Sequence, residues 1–155
     1  MFFSPEDLNI IKEGPAGRRR FIDLELSQLD KIYLNNLSNY NRIINQRNSL
    51  LKDIYGQKNL IETLDIWDMQ LLQYGESIIK RRSQFIEEIG ETVTKVNENL
   101  TGNKEHLQML YEPDVTIDEF ANKLNNYRER DKKLFSTSVG PHRDDLCFMN
   151  KDIDI

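Results

Sequence analysis

At 155 residues and 18.3 kDa the chain suits one ordinary domain and is short for two. A net charge of -5 and a pI near 5.1 exclude coating of nucleic acid or anionic membrane by bulk electrostatics, so any such contact is local. The lone Cys147 excludes an intrachain disulfide, and 38% hydrophobic against 30% charged residues, with a mean hydropathy of -0.65, suits long helices that keep one face polar.

Met1-Phe2-Phe3 is followed at once by Ser4-Pro5-Glu6-Asp7, which gives neither a signal peptide nor a spanning segment and leads to the expectation of a soluble, cytoplasmic protein. Ser4-Pro5-Glu6-Asp7-Leu8 reads as a helix start: a serine cap, proline at the first helical position and two carboxylates in the first turn. Gly14-Pro15 interrupts it, and Pro15 opens a longer helix. Ile22, Leu26, Leu29, Tyr33, Leu37, Tyr40, Ile44, Arg47, Leu51 and Ile54 recur along this helix at spacings of three and four, the stripe of an amphipathic helix, with Gly56 near its end.

From about Asn59 the same spacing runs through Leu60, Leu64, Trp67, Leu71, Gly75, Ile78, Arg82, Phe85, Ile89, Val93, Val96 and Leu100. Such a helix is roughly 60 Å long at about 1.5 Å per residue, which predicts an antiparallel helical hairpin projecting from something larger. Thr101-Gly102-Asn103 ends it. A short strand over 106–111, a helix over 116–134 with Phe120, Leu124, Tyr127 and Leu134 on one face, and a strand pair turning at Asn150-Lys151 complete the chain. The helix finishes in Arg128, Arg130, Lys132 and Lys133, which suit its C-terminus.

The densest chemistry is "FSTSVGPHRDDLCF", residues 135–148. A metal site there fits poorly, because residues 144 and 145 of a strand point to opposite faces and His106 is the one other histidine. Ser136, Thr137 and Ser138 lack the surroundings of a hydrolase nucleophile. Two readings stay open: a Gly-Pro turn leading into an edge strand with solvated charges, or a site at which His142 and Arg143 meet phosphate. Arg18-Arg19-Arg20 is the other basic cluster, yet three consecutive helical residues cannot share one face, so solvated charge is the plainer reading there. Trp67 reads as core, and Gly75 and Arg82 as a close helix approach and a satisfied interhelical contact. No phosphate-cradling P-loop occurs.

Three separated stretches, "FSPEDLNIIKEGPAGRRRFID" (3–23), "YNRIINQRNSLLK" (40–52) and "STSVGPHRDDL" (136–146), resemble in order the bacterial RecF family, and "LDIWDMQLLQYGESIIKRRSQFI" (64–86) is similar to that family's middle segment. The resemblance implies an SMC/Rad50-like, ABC-type ATPase whose head is interrupted by a helical lever. It implies binding of ATP with Mg and of single- and double-stranded DNA, an ATP-dependent homodimer, and RecO and RecR as partners in DNA repair, replication, recombination and the SOS response at single-stranded gaps. The family's Walker A, signature and Walker B motifs have no counterpart in these residues, so the chain alone is expected to be no enzyme and to hold no cofactor.

The fold expected on this basis is mainly α: a long antiparallel helical hairpin, the lever arm, with a few short strands belonging to the ATPase head. The divisions are 1–14 as junction with the head, 15–104 as lever and 105–155 as the strand-helix-strand return into the head. Family resemblance makes Glu6 and Asp7 candidate nucleotide sensors, and Arg18, Arg19, Arg20, His142 and Arg143 candidate DNA or nucleotide contacts. The competing reading is a self-contained helical module that binds a protein partner without nucleotide chemistry.

Overall fold

The computed structural model describes residues 12–54, 56–102 and 107–150. The predicted helix start at Ser4 to Leu8, with Glu6 and Asp7, lies outside the described residues, as do His106 and the Lys151 half of the predicted terminal turn. Helix α1 spans Pro15–Leu29, α2 spans Lys31–Asp53 and α3 spans Leu60–Thr101; strand β1 is Leu107–Glu112, α4 is Ile117–Asn126, α5 is Arg128–Leu134 and strand β2 is Asp145–Asn150.

Two expected helices are each divided. The stripe running from Ile22 to Ile54 is broken at Asp30, whose backbone is extended (φ -140°, ψ 105°). Its carboxylate accepts hydrogen bonds from the backbone N–H groups of Ile32 and Tyr33 and so caps α2. Periodicity survives such a break because the hydrophobic faces on either side still address one core, although Leu29, the residue before the break, turns outward and is 48% exposed. Likewise the helix expected over 116–134 breaks at Tyr127 into α4 and α5. Pro15 does sit in the first turn of α1, and Gly102, at φ 63°, closes α3 in the left-handed conformation.

The 42 residues of α3 form the spine. Helix α2 runs antiparallel to its first half, with α1 beside α2, while β1 packs on its second half. Interleaved side chains of Ile22, Leu26, Tyr33, Tyr40, Ile43, Leu71, Ile78, Phe85, Ile89 and Phe120 form the main core, and Leu51, Ile54 and Leu64 form a small separate one at the α2–α3 turn. Gly75 is required by packing: a Cβ there would lie 2.6 Å from the Phe120 ring, so α4 could not seat against α3. Strands β1 and β2 pair antiparallel, Met109 opposite Phe148 and Tyr111 opposite Leu146. Met109, Leu146 and Phe148 are buried on one face of this two-stranded sheet, the period-2 burial that the sequence alternation implies.

Candidate functional site: a loop held between two buried arginines

Residues 136–144 run from the end of α5 to the start of β2 through a short 3-10 turn at Pro141–Arg143. Two fully buried arginines hold the two ends. At the start, Arg47 of α2 donates from Nε to Asp68 Oδ1 (2.6 Å) and from Nη1 to Asp131 Oδ2 (2.8 Å) and Thr137 Oγ1 (3.0 Å). The second oxygen of Asp131 accepts the backbone N–H of Ser138 (3.0 Å), and the Thr137 hydroxyl donates to Asn48 Oδ1 (2.7 Å).

At the far end, Arg82 of α3 donates from Nη1 to the Pro141 carbonyl (2.6 Å) and to Asp144 Oδ2 (2.8 Å), from Nη2 to Asp23 Oδ1 (2.9 Å), and from Nε to the Tyr33 hydroxyl (3.0 Å). Tyr33 in turn donates to Asp23 (2.5 Å). Asp144, 1% exposed, also accepts from the Tyr111 hydroxyl and, through Oδ1, from the backbone N–H of Asp114 (2.8 Å). Burial raises the Asp144 carboxyl, and Arg82 with the two further donors opposes that rise. Burial likewise pushes the Tyr111 hydroxyl well above the ordinary phenol range, so it stays protonated and donates. One guanidinium thus ties α1, α2, α3 and the loop together, with Tyr111 bringing β1 to the same carboxylate. A buried charge of this kind is tolerable only because every one of these bonds is made.

Between the two ends lies His142. Its Nε2 sits 2.7 Å from the Thr137 carbonyl, which only accepts, so Nε2 carries the proton. Its Nδ1 sits 2.8 Å from the fully buried Tyr40 hydroxyl and accepts from it. Burial lowers the imidazole below its ordinary 6.5, which keeps this neutral tautomer. Gly140 makes the turn possible: φ is +141°, and a Cβ would fall 2.2 Å from Tyr40 Oη.

The five described sequence candidates divide by what they touch. Arg18 forks onto Asp145, Nε to Oδ1 at 2.6 Å and Nη2 to Oδ2 at 3.0 Å, and this contact lowers the Asp145 carboxyl. Arg19 donates to the Asp144 carbonyl (2.9 Å). His142 is engaged on both nitrogens. Arg20 and Arg143 are exposed, and neither side chain has a hydrogen-bond or ion-pair partner among the described residues. The motif's two aspartates face apart, as the strand argument requires: Asp144 goes to Arg82 inside and Asp145 to Arg18.

Two depressions flank the loop. A groove of about 510 Å³ between α1 and α2 is lined by Arg19, Arg20, Leu24, Leu34, Tyr40 and His142, among others. On the other side a crevice of about 170 Å³ gathers Arg143 with Lys123, Arg130, Tyr127, Ser138 and Asp114. A further groove of about 970 Å³ between α3 and β1 takes no side chain of residues 136–146. Among the described residues no group of three or more His, Cys, Asp or Glu could hold a metal ion, and no helix is long and apolar enough to cross a membrane.

Lys123 and Arg130 were not singled out by sequence as site residues, although 123, 127 and 130 follow one another at spacings of four and three. Arg47 lies in the α2 stripe, and nothing in its sequence surroundings indicates that two acids, Asp68 and Asp131, and the Thr137 hydroxyl converge on it.

No protein-family model matches the chain. Over its whole length it is 56% identical to the "DNA replication and repair protein RecF" of Agathobacter rectalis and 54% identical to that of Lachnospira eligens, and in each case it covers 43% of the relative. Over 99% of its length it is 43% identical to the protein of that name from Clostridium perfringens. A solved structure described as the recombination mediator protein RecF with ATP, in the RecFOR pathway, superposes with a TM-score of 0.86 at 34% identity, covering 98% of this chain and 43% of that one. The chain therefore spans less than half the length of the curated relatives it matches. Sequence similarity along the entire chain and agreement of fold place it in the RecF family, as a mainly helical segment of that protein type.

Proposed function

We propose that this chain is the helical lever and part of the head of an ATP-dependent DNA-binding protein that serves DNA replication, repair and recombination at single-stranded gaps in the cytoplasm. The observation that carries this reading is 56% identity over the whole chain to a relative named for DNA replication and repair, together with a fold matching a RecF–ATP structure at a TM-score of 0.86. Residues 15–104 form the lever, 105–155 the return into the head and 1–14 the junction, where Glu6 and Asp7 sense nucleotide. ATP with Mg closes two heads into a homodimer. RecO and RecR are the protein partners. The chain itself carries no hydrolytic machinery; the ATPase motifs belong to the remainder of the head.

Within this scheme the residues of the loop have two kinds of work. Arg18, Arg19 and His142 position it, because their polar atoms already meet Asp145, the Asp144 carbonyl, Tyr40 and Thr137. Arg20 and Arg143 meet DNA phosphates. The Arg82 joint binds the loop to the helices through side chains with no room to slide, so closure of the heads turns loop and lever as one body. An overall charge of -5 is compatible with DNA binding, since only the surface presenting these arginines has to be positive.

The test is the affinity of the native protein for labelled single-stranded and duplex DNA, with and without ATP and Mg. Binding strengthened by ATP is the expected result. Absence of DNA binding in every condition would remove the function proposed here.

A further inference from the structure

We propose that Lys123, Arg130 and Arg143 together form a phosphate-binding crevice that takes a backbone phosphate of a DNA strand. The proposal rests on the DNA-binding reading above and names the place of contact. Three cations from three different elements, α4, α5 and the 3-10 turn, line one depression of about 170 Å³. Lys123, Tyr127 and Arg130, at spacings of four and three, line the same crevice across the break at Tyr127 (φ -90°, ψ 3°). Pro141–Arg143 supplies the third cation by projecting Arg143 from a turn whose neighbours on both sides are fixed inside.

Two of the three charges here, Arg130 and Arg143, have no acid partner among the described residues, in contrast to the arginines that hold the fold together. Arg18, Arg47, Arg81, Arg82 and Arg128 each meet at least one carboxylate within 3.0 Å. Among the described residues Arg143 meets none, and Arg130 has the face of Tyr127, 5.9 Å from its guanidinium carbon, as its one partner. Two acids stand nearby. Asp114 lines the crevice but gives one oxygen to the Gly140 backbone N–H (3.1 Å), and Glu119 reaches Lys123 at 3.6 Å in a solvent-exposed pair. The lining retains three cations against one carboxylate. The Ser138 hydroxyl, also in the lining, is buried and has no hydrogen-bond partner among the described residues.

Two guanidinium forks, an ammonium and a spare hydroxyl match the oxygens of a phosphate. The size selects its source. A space of about 170 Å³ admits a single phosphate group and leaves the base and sugar outside, which suits a strand passing over the surface better than a mononucleotide enclosed in a pocket.

The experiment measures DNA affinity of the native protein and of an Arg130→Glu/Arg143→Glu variant across a salt series, with Lys123→Glu as an independent second variant. Circular dichroism checks folding, and ATP affinity is measured alongside. Expected are an affinity at least about tenfold weaker at low salt in the double variant, and a log–log salt slope shallower by about two. Unchanged affinity and slope, with wild-type binding intact, would overturn the crevice and leave the broader reading standing. Loss of ATP affinity with DNA affinity preserved would reassign the crevice to free nucleotide and overturn the proposal as well. If the wild type binds no DNA at all, the DNA-binding reading itself fails.

Discussion

Arginines on the inner and outer faces of residues 136–144 live under opposite physical rules. Arg82, on the inner side, is 2% exposed and makes four hydrogen bonds to Pro141, Asp144, Asp23 and Tyr33. Arg143, on the outer side, is exposed and meets no acid among the described residues. A guanidinium taken from water must be surrounded by partners or it destabilises the fold, so Arg82 is fixed by the structure and in return fixes the loop. A guanidinium left in water contributes little to stability, and its charge is available to a ligand. The same side chain is a joint in one place and a contact in the other, and burial makes the difference.

The largest break in this comparison is Arg82→Ala. It strands Asp144 and Asp23 and should cost about 3–5 kcal/mol, read from urea or thermal unfolding. Arg47→Ala should fall in the same range, because Asp131 and Asp68 lose the cation between them. Next is Gly140→Ala, with an expected loss on the order of 2–3 kcal/mol from backbone strain and the clash with Tyr40. Adding Tyr40→Phe removes the hydroxyl that the new Cβ meets and should restore part of that loss; no recovery in the double variant would mean that the strain lies elsewhere.

Acidification sharpens the comparison through His142. Its folded value lies below 6.5, so the unfolded chain takes up the proton first. This contribution to stability is therefore complete above 6.5 and is lost as pH falls below it toward the folded value. Asp114 across the turn favours the charged imidazole, while Arg19 and Arg143 oppose it. An unfolding midpoint that decreases from about pH 7 to about pH 5 in the wild type, with less decrease in His142→Gln, is the expected pattern.

Smaller still is Asp30→Ala, about 1 kcal/mol for the lost α2 cap, together with the contact to Arg81 at 3.0 Å. Arg143→Ala should move stability by no more than about 0.5 kcal/mol while weakening DNA binding across sequences alike. A large loss of stability in that variant would show that the outer arginine is also structural.

Much of the hairpin is legible from sequence. The spacing from Leu60 to Leu100 requires a helix because no glycine or proline combination interrupts it, and Gly75 and Arg82 within the stripe do mark a close approach and a buried interhelical contact. The breaks at Asp30 and Tyr127 are not legible in the same way, since a helix can stop and restart without losing the phase of its apolar face. Asp30 carries a usable sign, an aspartate two and three residues before the N–H groups it caps, but the same residue in mid-helix would look no different. The partners of Arg47 are 21, 84 and 90 residues away in sequence, so only the folded chain reveals that Asp68, Asp131 and Thr137 surround it. The basic run at 18–20 attracts notice as a cluster, yet helix geometry sends Arg18 to Asp145, Arg19 to the Asp144 carbonyl and Arg20 to solvent.

The most direct test of the joint is a double-mutant cycle on unfolding free energy, with Arg82→Met, Asp144→Asn and the pair. If the loop is held to the helices through this contact, the two substitutions are non-additive by on the order of 1–3 kcal/mol, the pair being less damaging than the sum. Additive losses would mean that Arg82 and Asp144 act independently, and the claim that one buried guanidinium locks loop to lever would not stand.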